Sequence, residues 1–146
     1  MASSSRTLAL IKPDAVSRNL TGRIIDHILG AGFGIVALKQ LHLGSEQAQA
    51  FYAVHRERPF YDSLVEFMTS GPTVALVLEK QGAVAAWRDT MGATNPEEAA
   101  DGTIRKLFGE SVERNCSHGS DSDENAALEI GFFFSTEDLL RSRSPG

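Results

Sequence analysis

One stretch of this chain sets a lone imidazole among small polar residues: Asn115-Cys116-Ser117-His118-Gly119-Ser120-Asp121-Ser122. Gly119 and Ser120 follow the histidine without bulk, so its ring can stand in the open, and apolar sequence lies close behind at 128–134. That is what a nucleophilic imidazole needs if a large phosphorylated molecule must reach it. Lys12, Arg88 and Arg105 come from three separate segments and together offer the positive charge and N–H donors that a polyphosphate requires. Phosphoryl transfer asks for positioning, charge neutralisation and an in-line nucleophile, and little further covalent work. Thr94 and Asn115 add donors for phosphate or sugar, and Phe60, directly after Pro59, is an aromatic beside a loop on which a base can stack. Stacking of that kind is tolerant of base identity.

Composition is consistent with this local chemistry. The chain has 146 residues, enough for a single domain 1–146 with a sizeable core and too few for two ordinary ones. Hydrophobic residues make up 42% and charged residues 23%, the balance of a globular protein. The net charge of −5 argues against nucleic-acid binding by bulk charge, so an anionic substrate must be held by a local cluster of the 14 Lys and Arg residues. No apolar run approaches the ~18 residues of a membrane span. The first five residues lack the basic and apolar regions of a secretory signal, and the single cysteine, Cys116, fits a reducing cytoplasm.

Several other chemistries are excluded by spacing. There is no G-x-x-x-x-G-K-[ST], so Lys12 is not a P-loop lysine. Gly30-Ala31-Gly32-Phe33-Gly34 is one residue short of G-x-G-x-x-G and ends a helix instead of opening one. The run from Asp121 begins like a calcium loop, but Ala126 stands where the turn glycine belongs and Phe132 where the bidentate glutamate belongs. No H-x-E, H-E-x-x-H or paired cysteine supports a zinc site.

The elements that must position these residues read as strands alternating with helices. Residues 6–12 form a short apolar strand, and Pro13 suits the first position of a helix. From 21 to 31, Ile24, Ile25, Ile28 and Leu29 share a helical face that Gly30 and Gly32 bring to a stop. Residues 34–43 predict a second strand, Ser45 the N-cap of a helix carrying Ala48, Phe51 and Tyr52, and Pro59 the start of another carrying Leu64, Val65 and Met68. Residues 73–78 are a third strand, and 82–91 a helix with Val84, Trp87 and Met91 on one face. Residues 92–114 show no period and predict a long functional loop holding a short helix. A last strand follows, then a helix capped by Ser122 with Asp123 and Glu124 in its first turn. The ends, 1–5 and 141–146, are expected to fray.

This order predicts an α+β fold, a ferredoxin-like split βαβ sandwich with an antiparallel four-stranded sheet. Handed crossovers predict that the helices pack on one face of it.

The residues also resemble a known family over 7–140. Leu10-Ile11-Lys12-Pro13-Asp14, Gly22-Arg23-Ile24-Ile25, Glu57-Arg58-Pro59-Phe60-Tyr61, Gly92-Ala93-Thr94-Asn95-Pro96, Gly102-Thr103-Ile104-Arg105 and the segment at His118 are similar to motifs of the nucleoside diphosphate kinases. The resemblance implies a ferredoxin-like core and ping-pong transfer of a γ-phosphate from NTP to NDP, with broad base specificity. His118 would be the nucleophile through Nδ1, with Glu129 and Ser120 orienting its ring and Tyr52 near the transferred group. Lys12 would contact the sugar hydroxyl and phosphates, Arg88, Thr94 and Arg105 the β- and γ-phosphates, and Asn115 the ribose. Phe60 would stack on the base, with Leu64 and Val112 lining its slot. Mg2+ would be carried by the nucleotide, with Asp121 its outer partner through water. A cytoplasmic homo-oligomer built from dimers is implied, a hexamer favoured over a tetramer. Two positions depart from the commonest pattern, Asp101 before Gly102 and Leu107 before Phe108; both lie in the long loop, where they bear on assembly.

Simpler readings compete at several positions. His27, His42 and His55 are read as surface or packing histidines, and Tyr52, Phe60 and Leu64 fall at spacings that core residues also adopt. Arg88 has Glu79 or Asp89 as solvent-exposed partners, and Glu129 reads as an exposed helix residue. Cys116 is read as a small buried hydrophobe. As alternatives to the kinase, a regulatory subunit of the same fold would not need His118 with its cations, and a hydrolase would differ only in passing the phosphate to water.

Overall fold

The computed structural model describes residues 4–141. Four strands, β1 (Ser4–Ile11), β2 (Gly34–Leu41), β3 (Thr73–Gln81) and β4 (Ser117–Gly119), form one sheet in the order β2-β3-β1-β4. Every neighbouring pair is antiparallel, as the split βαβ plan requires. The central pair runs without interruption from Ser4↔Gln81 to Ile11↔Val74. Ser4 and Ser5 are therefore part of the sheet, contrary to the expectation of a fraying end, and the Ser5 hydroxyl also accepts from the Ala83 N–H. Arg141 likewise closes a helix, α8 (Thr136–Arg141), that has too weak a period to be recognised in the sequence. The rest of the two expected flexible ends, 1–3 and 142–146, lies outside the described residues.

The helices are α1 (Pro13–Ser17), α2 (Thr21–Gly30), α3 (Ser45–Phe51), α4 (Tyr61–Met68), α5 (Ala83–Met91), α6 (Ile104–Phe108), α7 (Asp123–Phe133) and α8. Pro13 takes the first position of α1, and the Ser122 hydroxyl caps α7 by accepting from Asn125 N–H at 3.0 Å. At α3 the cap is Gly44, one residue before the expected Ser45, and its N–H donates to the Gln47 side chain. The long segment 92–114 holds one short helix, α6, and a 3-10 turn at Pro96–Glu98.

The helices cover both faces of the sheet, and this corrects the one-face expectation. Ala9, Ile11, Val74, Leu76 and Leu78 pack with Ala15, Leu20, Ile24, Ile28, Trp87 and Ile104. Leu8, Leu10, Ala75 and Val77 pack with Leu43, Tyr52, Phe67, Met68, Ile130 and Phe133. The physical reason was present in β1 and β3, whose cores are unbroken apolar runs without alternation. Such strands must be buried on both sides. The helical hairpin α3–α4 and the C-terminal α7 supply the second layer.

Candidate active site

His118 is the middle residue of β4, a three-residue strand at the sheet edge, and pairs with Leu10. The ring is thus seated on a strand rather than hung in an open loop, and its side chain keeps 23% exposure. Its Nε2 lies 2.9 Å from Glu129 Oε1, and the Ser120 hydroxyl donates to the same oxygen at 2.9 Å. A carboxylate oxygen accepts only, so this contact puts the hydrogen on Nε2 and leaves a lone pair on Nδ1. Glu129 is therefore a partner of the imidazole and not a free residue on a solvated face. Aromatic edges frame the ring: Phe51 at 5.4 Å between centroids, tilted 69° to it, and Tyr52 at 6.3 Å, nearly perpendicular to it. Burial, reinforced by Glu129, raises the Tyr52 phenol well above its ordinary value, so it acts as a neutral hydroxyl.

Two clefts meet at this ring. One, of about 620 Å³, is lined by Arg88, Thr94, Thr103, Arg105, His118 and Gly119 among others. The other, of about 530 Å³, shares Arg88, Thr94 and His118 and adds Phe51, His55, Asp121, Leu128 and Glu129. Arg88 makes no ion pair among the described residues, and Glu79 is paired instead with Arg6 at 3.0 Å. Arg105 donates to the carbonyls of Gly92 (3.0 Å) and Ser117 (2.8 Å), which ties the end of α5 to β4. Its Nε is buried without a partner among the described residues. Burial and the neighbouring Arg88 lower its pKa to about 10, which still leaves it charged at neutral pH.

Lys12 and Asn115 reach the cleft through a chain of hydrogen bonds. Lys12 Nζ donates to Asn115 Oδ1 at 2.9 Å and to the Glu113 carbonyl at 3.1 Å, and Asn115 Nδ2 donates to the Thr94 carbonyl at 3.0 Å. Burial lowers the Lys12 pKa to about 8, against the attraction of Asp14. The backbone between Asn115 and His118 turns tightly at Cys116, which has φ of +74°. Ser117 N–H donates back to the Asn115 carbonyl at 2.9 Å, making a three-residue turn of the rare left-handed kind. The start of α1 clasps it from both ends. Lys12 N–H donates to the Cys116 carbonyl, and Cys116 N–H donates to Asp14 Oδ2 at 3.1 Å. The thiol itself is inert, pushed up to about 12 by burial and by Asp14.

The residues expected at a base lie further out. Phe60 is 47% exposed and its ring sits 5.5 Å from His55, while Val112 is 56% exposed. Ser63, beside Leu64 on α4, donates to the Glu113 carboxylate at 2.7 Å, which draws the Val112 loop toward that helix. Asp121 is exposed on the second cleft, and its hydrogen bond from Asn125 holds its carboxyl below the usual range. Two contributors carry no distinguishing signal in the sequence: the helical period of Phe51 marks only a core face, and His55 resembles a surface or packing histidine.

The architecture and this constellation can be set beside known proteins. The family model described as nucleoside diphosphate kinase matches residues 5–139. The chain belongs to the nucleoside diphosphate kinase family. It is accordingly an enzyme, a nucleotide-binding phosphotransferase. A nucleoside diphosphate kinase from Persephonella marina is 59% identical over 138 residues, covering 94% of this chain and 99% of that one. The crystal structure of the Aquifex aeolicus nucleoside diphosphate kinase superposes with a TM-score of 0.91 at 46% identity, covering 93% of this chain and 99% of that chain. A halophilic nucleoside diphosphate kinase from Halobacterium salinarum, solved in complex with CDP, gives a TM-score of 0.89 at 38% identity, covering 93% of this chain and 91% of that chain. Among the described residues of this kinase, no helix is long and apolar enough to cross a membrane.

Proposed function

We propose that this chain moves the γ-phosphate of an NTP to an NDP by a ping-pong mechanism, with His118 as the intermediate carrier. The observation that carries the reading is the contact of Nε2 with the Glu129–Ser120 pair, which turns the Nδ1 lone pair into a nucleophile where two clefts lined by cations meet. Nδ1 attacks the γ-phosphorus in line, the bond to the β-phosphate oxygen breaks, and NDP leaves. A second NDP then takes the phosphate by the reverse step. Arg88, Thr94 and Arg105 hold the β- and γ-phosphates, and charge on the phosphate oxygens is stabilised by these fixed donors. Lys12 serves the phosphates and the sugar hydroxyl, Asn115 the ribose, and Tyr52 lends a neutral hydroxyl near the transferred group.

Phe60, Leu64 and Val112 form the base slot. Stacking there is indifferent to base identity, which supports broad specificity. Asp121, exposed at the cleft and held ionised by Asn125, fits as a water-mediated partner for Mg2+ carried on the nucleotide. That ion, when bound, neutralises phosphate charge. The protein is further proposed to act as a single domain in the cytoplasm, as a homo-oligomer built from dimers, with six subunits favoured over four.

The test is labelling with ATP carrying a radioactive γ-phosphate. The expected outcome is an acid-labile, base-stable label that GDP discharges as GTP. A label that persists in His118→Ala, or no label at all, would sink the mechanism. Release only as inorganic phosphate would make the protein a hydrolase.

A further inference from the structure

The chain contains one tryptophan, Trp87, fully buried on α5. A core position needs only its apolar area, yet its single polar atom is aimed at the nucleophile's own backbone: the indole N–H donates to the His118 carbonyl at 3.1 Å. The same edge of the ring runs beneath Gly119. A Cβ on Gly119 would meet Trp87 Cδ1 at 2.6 Å and Nε1 at 2.9 Å, and Met91 Cε at 2.6 Å. Trp87 and Met91 are one turn apart, so α5 is seated on β4 by two side chains on one face. The far side of the indole is fixed edge-on by Phe33 at 5.9 Å. β4 itself is three residues long and has β1 as its one neighbour in the described sheet. The residue after Trp87 is Arg88, which lines both clefts at His118.

We propose that Trp87 is a positioning residue for phosphoryl transfer. Its N–H bond to the His118 carbonyl sets the register of α5 against β4, and with it the spacing between the imidazole and the Arg88 guanidinium. A transferring phosphate must touch both groups, so small errors in this spacing act on the transfer step. The inference rests on the phosphohistidine reading.

Because the chain has a single tryptophan, growth of an auxotroph on β-(3-benzothienyl)alanine replaces this position alone. The analogue keeps the shape and exchanges the N–H for sulfur. The expected result is a roughly three- to tenfold slower labelling of His118 at saturating ATP, the effect of one hydrogen bond, with KM for ATP unchanged. Trp87→Phe, which keeps an aromatic core, should slow labelling in the same way. In the native protein the single indole N–H resonance should exchange slowly with solvent and move when His118 is phosphorylated. An analogue-substituted protein that labels as fast as the native one, or an indole resonance that ignores phosphorylation, overturns the proposal and leaves the kinase mechanism standing. A native protein that takes no label on His118 overturns both.

Discussion

At the scale of single residues, the cations were legible and their state was not. Lys12, Arg88 and Arg105 stand out in the sequence because a chain of net charge −5 has few other ways to hold a polyphosphate. Burial is a tertiary property, and with the nearby charge of Arg105 it lowers Lys12 from 10.5 to about 8, against the attraction of Asp14. Below pH 8 the ammonium is present and attracts phosphate; as the pH rises through about 8 the empty site loses that charge. Nucleotide affinity should therefore weaken across this range, and the step should vanish in Lys12→Met. Equilibrium binding of ADP between pH 7 and 9 checks this, and a native profile as flat as the variant's would contradict it. Linkage gives a second consequence. Folding lowers this pKa, so the unfolded chain holds the proton more tightly, and burial of the charged lysine opposes folding most fully below pH 8. That penalty shrinks as the pH climbs from about 8 toward 10.5. Trp87 was illegible for a different reason: its spacing with Val84 and Met91 is the ordinary signature of a core face, and no pattern reveals where an indole N–H points.

At the scale of elements, the close seat of α5 on β4 makes two glycines respond in opposite ways. Gly119 lies in the strand with the Trp87 ring and the Met91 methyl within 3 Å of any added Cβ. Gly119→Ala should destabilise the protein by about 1–3 kcal/mol, the usual effect of overpacking, because the methionine can swing aside but the indole cannot. Gly131 is exposed within α7 and has nothing within 4 Å of its would-be Cβ. Gly131→Ala should stabilise by up to about 1 kcal/mol through helix propensity. Urea unfolding of the two variants checks both signs, and a Gly119→Ala protein as stable as the native one would show that β4 is not so tightly seated. The sequence located most helices and strands because their periods and caps are local. It missed the left-handed turn at Cys116, whose φ of +74° depends on a clasp by Lys12 and Asp14 from the far end of the chain. Backbone strain of that sort persists only where surrounding bonds over-determine it.

At the scale of the whole molecule, the sheet order leaves a long strand at one edge. β1 and β3 are buried on both faces and carry the core, and their unbroken apolar runs made the central sheet readable in advance. The placement of helices on both faces was not, since handedness rules for crossovers say nothing of an extra helical pair. β2 lies at the sheet edge, eight residues long, with Leu38 exposed on it and Leu29 exposed on the helix before. A long edge strand with an exposed leucine is a template for pairing unless something covers it. Leu107, the departure from the common loop pattern, is exposed as well, on the short helix of the long segment 92–114. For the proposed homo-oligomer built from dimers, Leu29, Leu38 and Leu107 are candidate contact residues. Sedimentation equilibrium should accordingly give an even multiple of the 15.8 kDa chain at micromolar concentration. Leu38→Lys places a charge on the edge strand and should shift the population toward smaller species without changing the helix content of the subunit. A native protein that sediments at 15.8 kDa throughout that range would remove the case for assembly, and the phosphotransferase site, built within one chain, would stand without it.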